Sequence, residues 1–262
     1  MKRFERIAIV GSGNLAEALA HAVAGCVGVT LAAVVARNAA RGREIAEACG
    51  APYVGTPDTM PDADLCILAV SDSAIATVAE SLPRTHGMTV AHTSGATPME
   101  SIPDHFDGRG VFYPLQTFTA GRAVDFGVIP LFVEGSDEPT TLALEELAGR
   151  LSRRVARADS EQRRALHLAG VFACNFANHM FQLGAQTVER AGFGFDVLRP
   201  LIAETAAKAV ESQRPADVQT GPARRGDRGS QERHLALLAG DGASREIYKL
   251  ISDNIWETSR KI

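Results

Sequence analysis

Apolar and polar positions fall along this chain in two regimes. Up to about residue 157, short apolar runs alternate with segments of helical period. The runs are 7–10 (IAIV), 29–36 (VTLAAVVA), 53–54 (YV), 64–70 (DLCILAV), 88–91 (MTVA), 110–114 (GVFYP), 130–134 (PLFVE) and 153–157 (RRVAR). Continuous runs of this length, rich in Val and Ile, predict strands covered on both faces, which is the habit of parallel sheets. Helices are predicted between them over 14–24, from a cap-like start at Thr56-Pro57-Asp58, through residue 78, and over 138–151. This alternation predicts an α/β doubly wound parallel sheet. From residue 158 no run reads as a strand. Helices are predicted over 160–190 with Ser160 as the cap, over 195–211, 232–238 and 244–259. Residues 213–230 hold two prolines, three glycines and four arginines and read as a long loop. The division predicted is a sheet domain over 1–157 and a helical domain over 158–262.

The first strand runs directly into Gly11-Ser12-Gly13-Asn14-Leu15-Ala16. The spacing is G-x-G-x-x-A, after a strand and opening a helix, which is the context of a Rossmann dinucleotide-binding turn. Gly11 permits the tight turn, Gly13 lets a pyrophosphate approach the backbone, and Ala16 lets the helix pack on the strand. The helix then points its free N–H groups at the phosphates. An acidic residue near the end of the second strand would hold the ribose 2′-hydroxyl of NAD. Here Arg37 and Asn38 stand there, with Arg41 and Arg43 beyond and no acid until Glu44. A guanidinium suits a 2′-phosphate, so the expected cofactor is NADP(H).

Residues just past parallel strand ends line the ligand crevice. That rule selects Val70, Ser71 and Asp72 as cofactor neighbours, Asp72 being equally suited to cap the next helix. It also selects His92 and Ser94 as catalytic candidates, and Tyr113 and Gln116 as substrate contacts. A structural, hydrogen-bonded role is the competing expectation for His92. In the helical half, residues 165–188 carry no Asp, Glu, Lys or Arg. Projected at about 100° per residue, His167, Asn175, Asn178 and Gln182 share one quadrant. A neutral polar face of this kind suits a cleft, which adds His167 as a second proton donor and Asn175 and Asn178 as substrate contacts. Gln219, Thr220 and Arg224 join them from the Arg-rich segment.

Composition narrows the classes. A net charge of −4 gives no electrostatic reason to expect nucleic acid or an anionic membrane. The uncharged stretch 165–188 is long enough to span a bilayer, but its His, Asn and Gln residues would be costly there. Cys26, Cys49, Cys66 and Cys174 are scattered, with no C-x-x-C pair. They read as buried thiols of a cytoplasmic protein, not as a disulfide framework or a metal site.

Taken with these motifs, His92-Thr-Ser-Gly-Ala96, Tyr113-Pro-Leu-Gln-Thr-Phe118, residues 167–175 (HLAGVFACN), and Gln219-Thr-Gly-Pro222 with Arg224, Gly226 and Asp227 complete a pattern. It resembles the superfamily of pyrroline-carboxylate reductase and the deazaflavin-dependent NADP oxidoreductases. Within that superfamily it resembles the family that joins a Rossmann-like domain to the domain of unknown function numbered 2520. The resemblance implies nucleotide binding, oxidoreductase activity and a helical C-terminal half that dimerises. Two departures bear on the substrate. In the related β-hydroxyacid dehydrogenases a lysine stands three residues before an asparagine on the first long helix, whereas Asn175 precedes Asn178 here. The segment from Gln219 also lacks the Ser/Thr-rich signature of the pyrroline-carboxylate reductases. The expected function is an NADP(H)-dependent oxidoreductase acting on a small carbonyl or imine. The alternative is a nucleotide-binding sensor or partner protein without turnover.

Overall fold

The apolar runs become strands because each has helices to cover it. The computed structural model describes residues 2–261. It contains β1 (Arg6–Val10), α1 (Asn14–Ala24), β2 (Thr30–Val35), α2 (Ala39–Ala48), β3 (Tyr53–Val54), β4 (Leu65–Leu68), α3 (Ile75–Glu80), β5 (Thr89–His92), β6 (Gly108–Pro114), β7 (Leu131–Gly135), α4 (Glu138–Leu151) and β8 (Val155–Arg157). All eight strands form one sheet in the order β3-β2-β1-β4-β5-β6-β7-β8. Alternate residues of β1 and β4 feed opposite layers. Ile7, Ile9, Leu65 and Ile67 pack with Leu19 of α1 and Leu144 and Leu147 of α4. Ala8, Val10, Cys66 and Leu68 pack with Ile75 and Ala79 of α3 and with Ile102. Both faces of the strands are therefore dry, and polar alternation would have no place in them.

One pairing departs from the all-parallel expectation. β6 and β7 run antiparallel, with Phe112 opposite Val133. A parallel neighbour needs a crossover, ordinarily a helix. Between β6 and β7 the chain forms only a 3-10 turn, Phe126–Val128, so it returns in the opposite sense. α4 then provides the crossover that makes β8 parallel to β7 at the sheet edge.

Several local expectations are corrected. Thr56-Pro57-Asp58 opens only a single 3-10 turn, Pro57–Thr59. Asp72 makes no capping hydrogen bond and lies in a 3-10 turn, Asp72–Ala74, ahead of α3. The cap of α5 (Ser160–Gly170) is Asp159, not Ser160. Asp159 accepts from the Gln162 N–H, and Gln162 accepts in return from the Asp159 N–H, closing a capping box. The predicted continuous helix 160–190 is interrupted by a π turn, Val171–Phe176, before α6 (Ala177–Arg190). A uniform 100° projection from His167 to Asn175, Asn178 and Gln182 does not hold through the i→i+5 hydrogen bonding of this turn. α7 (Arg199–Glu211) follows a 3-10 turn, with Pro200 in its first turn. Residues 213–230 are not a featureless loop. They contain the 3-10 turn Pro215–Val218, α8 (Pro222–Arg225) and the start of α9 (Arg228–Leu237), with α10 (Gly242–Ser259) beyond.

The described residues pack as two compact units, one up to Cys174 and one from Asn175 onward. The first holds the whole sheet. The second is entirely helical, and among its described residues only Ala185, Ala223 and Ser252 are buried. No described helix is long and apolar enough to cross a membrane. All four cysteines are free, but only Cys66 is buried; Cys26 and Cys49 are half-buried and Cys174 is exposed. Burial pushes the Cys66 thiol up to about 12, so it stays an inert S–H.

Candidate active site

β1 sits between β2 and β4, so the winding of the sheet reverses at its C-terminal end, which is where α/β sheets open a crevice. A cleft of about 680 Å³ lies there. Gly11, Ser12, Gly13, Asn14 and Leu15 line it, together with Arg37 and Asn38 past β2 and Val70 and Ser71 past β4. The cofactor residues chosen from sequence thus come together in the first unit, with Asp72 next along the chain.

The glycine turn has the geometry of an anion cradle. Gly11 has φ +140°, and a side chain there would run into the Ala69 carbonyl, so only glycine fits. Gly13 occupies the N-cap of α1 without any side-chain cap, and a Cβ at Gly13 would meet nothing within 4 Å. The first-turn N–H groups of α1 therefore have no side-chain partner at the cap, and the cap residue itself has open space beside it. That is the arrangement that suits a pyrophosphate. Asn14 is fixed by donating to the Phe118 carbonyl at 3.0 Å.

The basic cluster past β2 separates into distinct roles. Arg41 is held by Glu17 and Glu44. Arg43 lies 5.3 Å over the Tyr53 ring. Asn38 caps α2 by accepting from the Arg41 N–H at 3.2 Å. Arg37 is exposed, lines the cleft and has no ion-pair partner among the described residues.

Past β5 the chain closes on itself. His92 is fully buried. Its Nδ1 accepts from the Ser94 N–H at 3.1 Å, and its Nε2 lies 3.3 Å from the Pro98 carbonyl, which requires the proton on Nε2. Burial, and then the nearby Arg163 guanidinium, lowers the His92 pKa to about 4. Ser94 Oγ donates to Thr97 Oγ1 at 2.9 Å and accepts from the N–H groups of Ala96 and Thr97 at 3.1 and 2.9 Å. The polar atoms of both residues are thus engaged within the turn.

Arg163 anchors this turn to α5. It is fully buried, ion-paired with Glu134, and donates to the carbonyls of Ala158 and Thr97 at 3.2 and 3.1 Å. One helical turn later, on the same face, stands His167. Its Nδ1 lies 3.5 Å from the hydroxyl of Tyr113 at the end of β6. Gly95 leaves room for both: a Cβ there would stand 2.6 Å from Tyr113 Cζ and 3.0 Å from His167 Cβ. Burial and then the Asp72 charge raise the Tyr113 phenol above its usual range. Gln116 is exposed just beyond β6.

Residues 2–111 match a family described as a Rossmann-like domain, and residues 129–255 match the domain of unknown function DUF2520. A candidate NADP oxidoreductase of Bacteroides fragilis is 40% identical over 97% of this chain and 98% of its own, with a TM-score of 0.88. The chain belongs to the Rossmann-like/DUF2520 family. Two more distant solved structures share the fold of this family member. They are a reductive aminase of Aspergillus terreus in complex with NADPH and ethyl-5-oxohexanoate (16% identity, 98% and 94% of the two chains, TM-score 0.71) and the 1-pyrroline-5-carboxylate reductase of Streptococcus pyogenes (14%, 100% of each, TM-score 0.64). No curated protein matches by sequence.

The DUF2520 match begins inside the sheet, just ahead of β7, and so takes in parts of both units. In the second unit Asn175 and Asn178 are exposed, on the π turn and α6. Gln219 Nε2 donates to the Thr220 carbonyl at 2.9 Å. Gly226 has φ +67° and faces Trp256, where a Cβ would lie 2.9 Å from the ring. Asp227 caps α9 by accepting from the Ser230 N–H and hydroxyl at 2.9 and 2.7 Å; the hydroxyl bond leads in holding its carboxyl below the usual range. Gly226 and Asp227 therefore shape this segment, while Arg224 is half-buried in α8. The buried Arg163 anchor was not selected from sequence. An arginine on a predicted helix reads as a solvated residue, and no pattern marks its partner Glu134, which is a strand away.

Proposed function

We propose that this chain is an NADP(H)-dependent oxidoreductase that reduces a small carbonyl or imine. The observation that carries the reading is Arg37. It stands exposed at the cleft, where the ribose 2′-position of a Rossmann-bound nucleotide falls, while the neighbouring Arg41 and Arg43 are committed elsewhere. The uncapped N-terminus of α1 and the open face of Gly13 support a pyrophosphate beside it. Bound in this way, the nicotinamide supplies a hydride to the substrate. The name of the Bacteroides fragilis relative supports the same chemistry, and the fold is one also found in a reductive aminase complexed with NADPH and in a 1-pyrroline-5-carboxylate reductase.

The chain's own residues divide the remaining work. His92 and Ser94 position the turn past β5, where the nicotinamide end of the cleft would lie next to Val70, Ser71 and Asp72. Gln116, Asn175, Asn178, Gln219, Thr220 and Arg224 are the proposed substrate contacts. Residues 1–157 bind the nucleotide, and 158–262 provide the helical substrate and dimerisation part. Leu201, Val210, Leu237 and Leu250 of the second unit are 62–86% exposed, which supports a second copy of the chain as partner.

The test is calorimetric titration with NADPH and NADH. NADPH should bind at least about tenfold more tightly, and Arg37→Ala should erase that preference, as expected on losing a charge-assisted phosphate contact. If neither nucleotide binds the wild-type chain, the reading is wrong. If NADPH binds but no member of a carbonyl and imine panel is reduced, the chain is a nucleotide-binding protein without turnover.

A further inference from the structure

We propose that Tyr113 is the proton donor of this site and that His167 couples it to solvent. The inference rests on the reductase reading above and adds the source of the proton. Four observations support it. Tyr113 is buried at the C-terminal end of β6, the side of the sheet on which the cleft opens. Its hydroxyl is 3.5 Å from Nδ1 of His167, whose residue is exposed, so the pair links a dry position to bulk water. Gly95 supplies the space in which the two side chains approach, since a Cβ there would collide with the Tyr113 ring and hydroxyl and press on the His167 Cβ. The polar groups past β5 are spent: His92 uses both ring nitrogens and Ser94 its hydroxyl within their own turn.

The charges around the pair fit an acid that holds its proton. Asp72 acts on the phenol from the end of β4, His92 behind it is neutral, and Arg163 lies one turn before His167 within its own ion pair. As hydride reaches the substrate carbon, the C=O or C=N π pair moves onto the heteroatom, and the carbonyl or imine is reduced while the nicotinamide is oxidised. The Tyr113 O–H bond breaks as the new O–H or N–H bond forms. The phenolate recovers a proton from Nδ1–H of His167 as Nε2 of the same ring takes one from solvent, so the imidazole changes tautomer and stays neutral. Tyr113 is then a catalytic residue and His167 a positioning residue that resupplies it.

The experiment uses the full chain with Tyr113→Phe and His167→Asn. NADPH affinity by calorimetry should stay within about twofold of wild type in both, since neither touches the glycine turn. Single-turnover reduction of the best panel substrate should fall about 10²- to 10⁴-fold in Tyr113→Phe, the usual worth of a general acid. His167→Asn should keep most of the wild-type rate in a single turnover and lose more of it under multiple turnover, where the phenol must be resupplied with a proton. Independently of any nucleotide or substrate, the ¹⁵N resonance of His167 Nδ1 should move in Tyr113→Phe. A rate within about threefold of wild type in Tyr113→Phe overturns the proposal. So does an unmoved His167 resonance, or a wild type that binds NADPH and reduces nothing. Failure of the nucleotide reading shows separately, as no NADPH binding by the wild type.

Discussion

At the scale of single residues, burial decides which polar groups remain available for chemistry. His92 illustrates the point. From sequence it is a titratable group at a crevice mouth, but its burial places it in a state that resists protonation. The resulting acid sensitivity has a definite sign. The unfolded chain takes up a proton at His92 near pH 6.5, whereas the folded chain does so only at about 4. The stability contributed by the neutral ring is therefore present above about 6.5 and is lost as pH falls through that window. The loss is of order 3 kcal/mol. Urea denaturation at pH 7 and at pH 4.5 should show this loss in wild type and a smaller one in His92→Asn; equal losses would remove His92 as its source. The glycine turn and Arg37 could be selected from sequence because their chemistry is written in contiguous residues. The meeting of Tyr113 and His167 could not, because it joins residues from β6 and α5 that no local pattern relates.

At the scale of elements, hydrophobic period located the strands and most helices, because a strand buried on both faces must be continuously apolar. Direction was less legible. Nothing within 130–134 says that β7 runs against β6; the signal lay in the connection, which has no α-helix to carry the chain back. Sequence leaves a cap ambiguous by one residue where two good candidates stand together. Asp159 and Ser160 are both capping types, and the tie is broken by Gln162, which completes the reciprocal box with Asp159. Asp159→Ala should cost about 1 kcal/mol of stability, the usual worth of a cap, and Ser160→Ala much less. Thermal or urea unfolding of the two variants checks the order. The short helices of segment 213–230 are hard to read from sequence because proline and glycine there mark helix starts and ends as well as breaks. Pro215 and Pro222 each sit in the first turn of a short helix, where a missing N–H costs nothing.

At the scale of the whole molecule, the two units differ in how much of themselves they bury. The first carries nearly all the fully buried side chains, while the second leaves large apolar residues such as Val210 and Leu237 in water. Local opening follows that contrast, because few buried contacts mean a low cost of opening. Amide hydrogen exchange should be slowest in β1, β4 and β5. In α7, α9 and α10 it should slow further as protein concentration rises, if a second copy covers those helices. Protection there that ignores concentration would argue against the dimer. The π turn at Val171–Phe176 has a further effect, on comparison with relatives. A π turn holds one more residue than the α turn it replaces, so it acts like a one-residue insertion that leaves no gap in the chain. Counting along the helix from His167 to Asn175 and Asn178 in this protein, and along an uninterrupted helix in another, pairs residues that point in different directions. The absence of a lysine three residues before Asn178 is therefore a statement about sequence spacing alone. Functional positions on this helix can be matched only after superposition of each side of the turn by itself.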